Sequence, residues 1–273
     1  MTIDLGRYGI WQRTSDVDPA SAAEIESLGF GALWVGGSPG GELEQVESVL
    51  DATERLVVAT GIVNMWRDDA DVVARSFHRI EESHPGRFLL GVGVGHPEAT
   101  SEYRKPYDTI VRYLDELDRA DVPRERVVLA ALGPKVLELS GERTLGAHPY
   151  LTTPRHTRFA REALGDGPLL APEQTVVVGL GPEESSVLAR DFVARYLRLV
   201  NYRNSLLREG WSEDDLADDG SDRLVSEIVL TGSAVDVAAG IRSHLDAGAD
   251  HVNVQVLGSD PRPALEALAG ALL

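Results

Sequence analysis

The fold class the sequence predicts is α/β: a single (β/α)8 TIM barrel over residues 1–273, with residues 182–232 as a helical insertion. Three observations point to it. Strand-like and helix-like segments alternate eight times along the chain. No linker composition or charge block divides it. A length of 273 residues suits eight βα units in one barrel, whereas a doubly wound sheet would carry fewer strands.

Leu5 to Ile10 reads as the first strand, ending at Trp11-Gln12, and Asp18-Pro19 supplies an N-cap and first-turn proline for a helix reaching Leu28. Ala32 to Val35 is the second strand, followed by a glycine-rich loop and a helix from Glu42 to about Thr53. Leu56 to Val63 is β-branched and apolar, a third strand. Asp68-Asp69 can cap the next helix, in which Ala70, Val73, Ala74, Phe77 and Ile80 recur at helical spacing. Pro85-Gly86 stops that helix, and Phe88 opens the fourth strand. There Gly91, Gly93 and Gly95 share one face without Cβ, while Leu90, Val92 and Val94 share the other. Glycine weakens a strand, and close approach by a ligand or another backbone is the usual reason to keep it. The face reads as a cofactor wall. Its third glycine comes one residue early for the dinucleotide fingerprint.

From Tyr103 to Leu117, apolar steps of four and three give an amphipathic helix. Val127 to Leu132 is the fifth strand, and Gly133-Pro134-Lys135 opens a helix to about Leu145. Ala147 to Leu151 is the sixth strand, with Thr153-Pro154 capping the helix that follows, and Thr175 to Val178 is the seventh. Pro182 to Arg208 reads as one long helix, and Trp211 to Asp222 as an acidic loop. Ser233 to Asp236 resembles a capping box for a helix ending near Gly248. His251 to Leu257 is the eighth strand, and Pro261 to Leu273 closes the chain as a helix.

The formal net charge of -18 argues against a nucleic-acid or anionic-membrane partner, since both need a cationic field. With no bilayer-length apolar stretch and no signal pattern, a soluble cytoplasmic protein acting on a small molecule is expected. Cysteine is absent, which excludes disulfides, thiol nucleophiles and zinc–thiolate sites. No histidine–carboxylate pattern for a metal, G-x-S-x-G elbow or P-loop occurs, so the chemistry falls to an organic cofactor.

In a barrel of this kind the active groups sit at strand C-termini. Those ends are Trp11-Gln12, Gly36 to Ser38, Asn64 to Trp66, Gly95 to Glu98, Gly133 to Lys135, His148 to Thr153, Gly179 to Gly181 and Gly258 to Asp260. His96 follows the glycine face and can exchange a proton there, or be a solvated loop histidine. Trp11 and Trp66 are either walls of a ring-binding slot or core plugs, and Trp34 and Trp211 read as structural. Asn64 can donate to a ring carbonyl or cap its helix. His148 reads first as a hydrogen-bonded core histidine and second as a cofactor-edge contact. Lys135, one of only two lysines against 24 arginines, stands in a first helical turn that favours a phosphate, with Arg67, Arg155 and Arg158 as helpers of lower value. Tyr150 and the Asn201 to Asn204 cluster can line a substrate pocket, although a helix interface is the expected role of the cluster.

Ala23 to Gly36 (AEIESLGFGALWVG), Ala59 to Trp66 (ATGIVNMW), Gly86 to His96 (GRFLLGVGVGH) and Gly133 to Pro149 (GPKVLELSGERTLGAHP) resemble the bacterial luciferase-like superfamily, in the right order over nearly the whole chain. Within it the chain looks most like the deazaflavin (coenzyme F420)-dependent oxidoreductases of actinobacteria. The resemblance implies a barrel with deazaflavin at the strand C-termini, hydride transfer at its C5 and a homodimer. It also implies a non-prolyl cis peptide at Gly61-Ile62 supporting the ring, Asn64 and Met65 flanking it, Gly93 and Gly95 contacting it, and Gly133, Pro134 and Lys135 approaching the phosphate tail. Ser38 stands where sugar-phosphate and alcohol dehydrogenase members have a histidine, and His96 where they have a glutamate. Those departures argue against alcohol oxidation and leave hydride transfer to an unsaturated substrate, with His96 as proton donor. A flavin mononucleotide (FMN) monooxygenase is the alternative, followed by a non-catalytic cofactor-binding relative and a redox-free barrel enzyme.

Overall fold

The computed structural model describes residues 3–96 and 105–273. Its first half runs β1 (Tyr8–Arg13), α1 (Pro19–Ser27), β2 (Ala32–Gly36), α2 (Glu44–Asp51), β3 (Val57–Gly61), β4 (Val63–Asn64), α3 (Ala70–Ser83), β5 (Phe88–Gly93), α4 (Pro106–Arg119), β6 (Val127–Leu129) and α5 (Pro134–Arg143). The second half runs β7 (Gly146–Ala147), α6 (Pro154–Leu164), β8 (Leu169–Leu170), β9 (Glu173–Val178), α7 (Pro182–Leu197), α8 (Val200–Arg208), α9 (Asp222–Ile228), β10 (Val229–Gly232), α10 (Ala234–Asp246), β11 (Val252–Val256) and α11 (Arg262–Leu272).

Every strand pairing is parallel, in the order β10-β9-β11-β1-β2-β3-β5-β6-β7-β8, with β4 beside β5. The segment from β8 into β9 joins the two sides of the ring. On one side the Ala171 and Glu173 amides donate to the Ala147 and Pro149 carbonyls; on the other the Asp250 and Asn253 amides donate to Leu170 and Pro172. A parallel barrel buries both faces of its strands. Alternate residues such as Trp11, Trp34, Ala59, Leu89, Val128 and Ala171 make an inner core. The outward residues Ile10, Leu33, Val35, Val58, Leu90 and Val92 pack with the helices in a larger outer one.

Several expectations are corrected. The first strand lies three residues later than Leu5 to Ile10, because its register is fixed by β2: Gly9 faces Ala32 and Arg13 faces Gly36. Trp11 is therefore inside a strand, and Arg13 ends it. The third strand breaks at Ile62, where the Gly61-Ile62 peptide bond is cis. The helix starting at Pro182 is two helices, because Leu199 is extended and α8 starts afresh after it. The segment 182–232 is not wholly helical either, since it ends in β10, which pairs with β9. Asp69 is the N-cap of α3 but makes no side-chain cap, while the Asp68 carboxylate accepts instead from the Gly41 amide at 2.9 Å. The expected helix start at Tyr103 and the strand end at Pro97-Glu98 lie outside the described residues.

Candidate functional site

Strand alternation places Trp11 on the inner face of β1, where it is 4% exposed. A Cβ at Gly36 would lie 1.8 Å from its ring, and one at Gly61 2.8 Å from its Nε1. The indole thus dictates glycine at both positions. His148 approaches the same point, its Nε2 3.2 Å from a Cβ at Gly61. It stacks on Trp34 with centroids 4.2 Å apart, and its Nδ1–H donates to the Ala171 carbonyl at 2.8 Å. Burial pushes its pKa down to about 4, so the ring is neutral and Nε2 carries a lone pair. Trp11 Nε1, a donor, and His148 Nε2, an acceptor, converge on Gly61 and neither has a hydrogen-bond partner.

Above them stands a polar wall that the motifs did not reveal. Tyr150 packs on Trp11 with centroids 5.2 Å apart. Its hydroxyl donates to Gln255 Oε1 at 2.7 Å, so the Tyr196 hydroxyl donates to it across 2.8 Å. Glu173, 1% exposed, accepts from the Thr175 hydroxyl at 2.5 Å and the Leu151 amide at 3.3 Å. Burial outweighs those two bonds and raises its pKa to about 7. The readable signal was period two: Glu173 and Thr175 alternate in one strand, and His251, Asn253 and Gln255 in another, all toward the barrel interior.

The other expected residues divide. His96 Nδ1–H donates to Asn201 Oδ1 at 3.1 Å, and its ring lies 5.2 Å from that of Tyr202, so α8 brings the insertion to this histidine. Asn64 Oδ1 accepts from the Trp66 amide at 2.9 Å, which closes the turn after β4 and does not cap α3, whose N-cap is Asp69, while its Nδ2 lies 2.7 Å from where a Cβ on Gly95 would be. Trp66 is half-buried in the turn after β4. Met65 is not brought to the mouth: it is 6% exposed and packs in the outer core. Ser38 is half-buried in the β2–α2 loop, and its carbonyl, with that of Pro39, accepts from Arg67, which is therefore a loop clamp.

The glycine face of β5 is not an open cofactor wall. A Cβ at Gly91 would sit 1.8 Å from the Thr60 carbonyl, and one at Gly93 2.9 Å from Ala130 and 3.2 Å from Ile62. These glycines admit the neighbouring strands, the other of the two uses glycine has in a strand.

At the far side of the mouth, Gly133 is the N-cap of α5, offers no side-chain cap, and no acidic residue stands in the first turn. Lys135 is exposed there, beside Pro134, and the Arg208 guanidinium lies 3.6 Å from where a Cβ on Gly133 would be. The start of α6 is already satisfied. Thr153 caps the His156 amide at 3.3 Å and donates to Glu209 at 2.9 Å, while Arg155 holds the Glu209 carbonyl at 2.8 Å. Of these two neighbouring helix starts, α5 is the one left to attract an anion.

Residues 18–120 match the family model described as luciferase-like monooxygenase. Among solved structures, an F420-dependent secondary alcohol dehydrogenase in complex with an F420–acetone adduct superposes with a TM-score of 0.76 at 16% identity, covering 100% of both chains. The oxygenating constituent of 3,6-diketocamphane monooxygenase from Pseudomonas putida, a type II Baeyer–Villiger enzyme in complex with FMN, gives 0.70 at 17% identity over 96% of each chain. Coenzyme F420-dependent tetrahydromethanopterin reductase from Methanopyrus kandleri gives 0.68 at 15% identity over 97% of this chain and 98% of that one. A comparison with curated proteins finds no match. The chain has the barrel fold of the luciferase-like monooxygenases, and its residues 18–120 match that family by sequence.

Proposed function

We propose that this chain is a deazaflavin (coenzyme F420)-dependent oxidoreductase that transfers a hydride between reduced deazaflavin and a small organic substrate. The observation that carries the reading is the unpartnered donor and acceptor, Trp11 Nε1 and His148 Nε2, converging beside Gly61 under the mouth. A buried polar atom left unpaired is costly, by about 1–3 kcal/mol, and a ring edge with one carbonyl and one N–H answers both. The residues present therefore fit a deazaflavin or flavin ring. Asn64 would orient it, and the open start of α5 with Lys135 and Arg208 would hold its phosphate. When bound, the deazaflavin supplies or accepts the hydride.

His96 is the proton donor in this reading. Its neutral form keeps the proton on Nδ1, donated to Asn201, so it delivers a proton from Nε2 only as the imidazolium. Tyr150, fixed between Gln255 and Tyr196, would line the substrate side together with the Trp11 ring. The FMN monooxygenase reading is favoured by the FMN-bound neighbour of the same fold, since a phosphate at α5 suits either cofactor.

Parallel titrations with coenzyme F420 and FMN test the reading. Saturable F420 binding, weakened about tenfold in Lys135→Ala and Arg208→Ala, is the expected result. Binding of FMN alone would move the protein to the monooxygenase reading, and binding of neither would overturn both.

A further inference from the structure

A cleft of about 740 Å³ opens between the ends of β1 and β11, the start of α1 and helix α7. Trp11, Gln12 and Arg13 line it from β1, Gln255 from β11, and Phe192 and Arg195 from α7. Arg13 shares the inward face of β1 with Trp11, one rung nearer the mouth. Among the described residues it is the one arginine withdrawn from solvent that has neither a hydrogen bond nor an ion pair. The others at least half-buried (Arg87, Arg126, Arg143, Arg161, Arg190 and Arg203) all hold carboxylates, carbonyls or a hydroxyl. Arg195 is likewise without a partner, and both guanidinium charges bear on the Tyr196 hydroxyl. Among the described residues, none of the cleft's carboxylates forms an ion pair with either guanidinium. Asp16 accepts from Ser15, Asp18 from Ser21 and Asp260 from Arg262, while Glu24 and Asp191 make no ion pair.

A chain with a net charge of -18 has carboxylates to spare, so an arginine left unpaired in a cleft marks a place kept for an anion from outside. We propose that Arg13, assisted by Arg195, binds the oxyanion of an organic ligand whose apolar part rests on Trp11 and Phe192. A planar carboxylate can take two parallel N–H bonds from the Arg13 fork, and a phosphate or sulfonate can do the same. The oxyanion belongs either to the substrate or to an anionic part of the cofactor. Only the second assignment rests on the redox reading above, so the first arm of the test is run without cofactor.

Tryptophan fluorescence, with Trp11 beside the site as reporter, is followed while benzoate, and separately sulfate, is added at constant ionic strength with chloride as the balancing anion. The wild type shows a saturable change that is lost in Trp11→Phe. Arg13→Gln, shown to be folded by its circular dichroism, raises the midpoint roughly 10- to 100-fold, the range for hydrogen bonds to a charged group. Arg195→Gln, at an exposed position, raises it severalfold, and Arg198→Gln, outside the cleft, leaves it unchanged. A wild type without a saturable response to either anion, or an unchanged midpoint in Arg13→Gln, overturns the proposal. In a second arm, loss of coenzyme F420 affinity with affinity for its tail-less deazaflavin core retained in Arg13→Gln assigns the oxyanion to the carboxylate-bearing tail of the cofactor. Retention of both, with the anion response lost, assigns it to the substrate.

Discussion

Replacing Glu173 by glutamine isolates the titration of one carboxyl buried in the barrel. Its pKa is raised from 4.5 to about 7, with burial the largest cause. Between those values the folded state holds a proton that the unfolded state has released, so stability falls as pH rises through that window and is flat above it. At about 1.4 kcal/mol per pKa unit the loss amounts to about 3 kcal/mol. The Thr175 hydroxyl donates to Glu173 Oε1 and the Leu151 amide to Oε2; a glutamine keeps the amide bond through its carbonyl oxygen and donates its Nε2–H to the Thr175 oxygen instead. Urea unfolding at pH 5 and pH 8 reads the difference. Glu173→Gln is expected to lie close to wild type at pH 5 and to be more stable at pH 8 by about 3 kcal/mol. Equal pH dependence of the two proteins would show that Glu173 does not titrate in this window, and the burial reasoning would fail.

The buried histidines act with the opposite sign. Burial depresses His148 and His156 to about 4 and His244 to about 3, so stability is lost as pH falls below 6.5, by up to ~1.4 kcal/mol per unit for each group; melting temperatures at pH 4.5 and 6.5 check it. Gly91→Ala drives a Cβ to 1.8 Å from the Thr60 carbonyl and should lose about 3 kcal/mol or fail to fold. Gly179→Ala meets nothing within 4 Å and suffers only its φ of +77°, about 1 kcal/mol, a contrast that denaturant midpoints resolve. Tyr150→Phe leaves Gln255 Oε1 and the Tyr196 hydroxyl without their shared partner, and about 1–3 kcal/mol of stability is expected to go with it.

Element type was legible wherever a local device marks it. Asp18 does cap α1, accepting from the Ser21 amide at 2.8 Å, and Ser233 caps α10. Register was not, since pairing between β1 and β2 is a contact across the sheet that no local pattern encodes. A three-residue offset there makes Trp11, an interior residue of β1, read as a strand end and hides Arg13 altogether. The glycines of β5 show a related limit. Period two places them on one face, yet whether a ligand or a strand fills that face depends on Thr60, Ile62 and Ala130 from neighbouring segments. The apolar run marks the seventh strand only from Thr175, which leaves Glu173, the first residue of β9, outside the expected element. Glu173 becomes visible only beside the alternation of Asn253 and Gln255 in the adjacent strand.

A crystal structure of the protein grown with coenzyme F420 tests the central claim most directly. The account predicts the deazaflavin ring at the barrel mouth beside Gly61, its edge toward Trp11 and His148, and its phosphate at the start of α5 near Lys135 and Arg208. Cofactor bound away from the strand C-termini, or a mouth left unchanged at saturating cofactor, would contradict it.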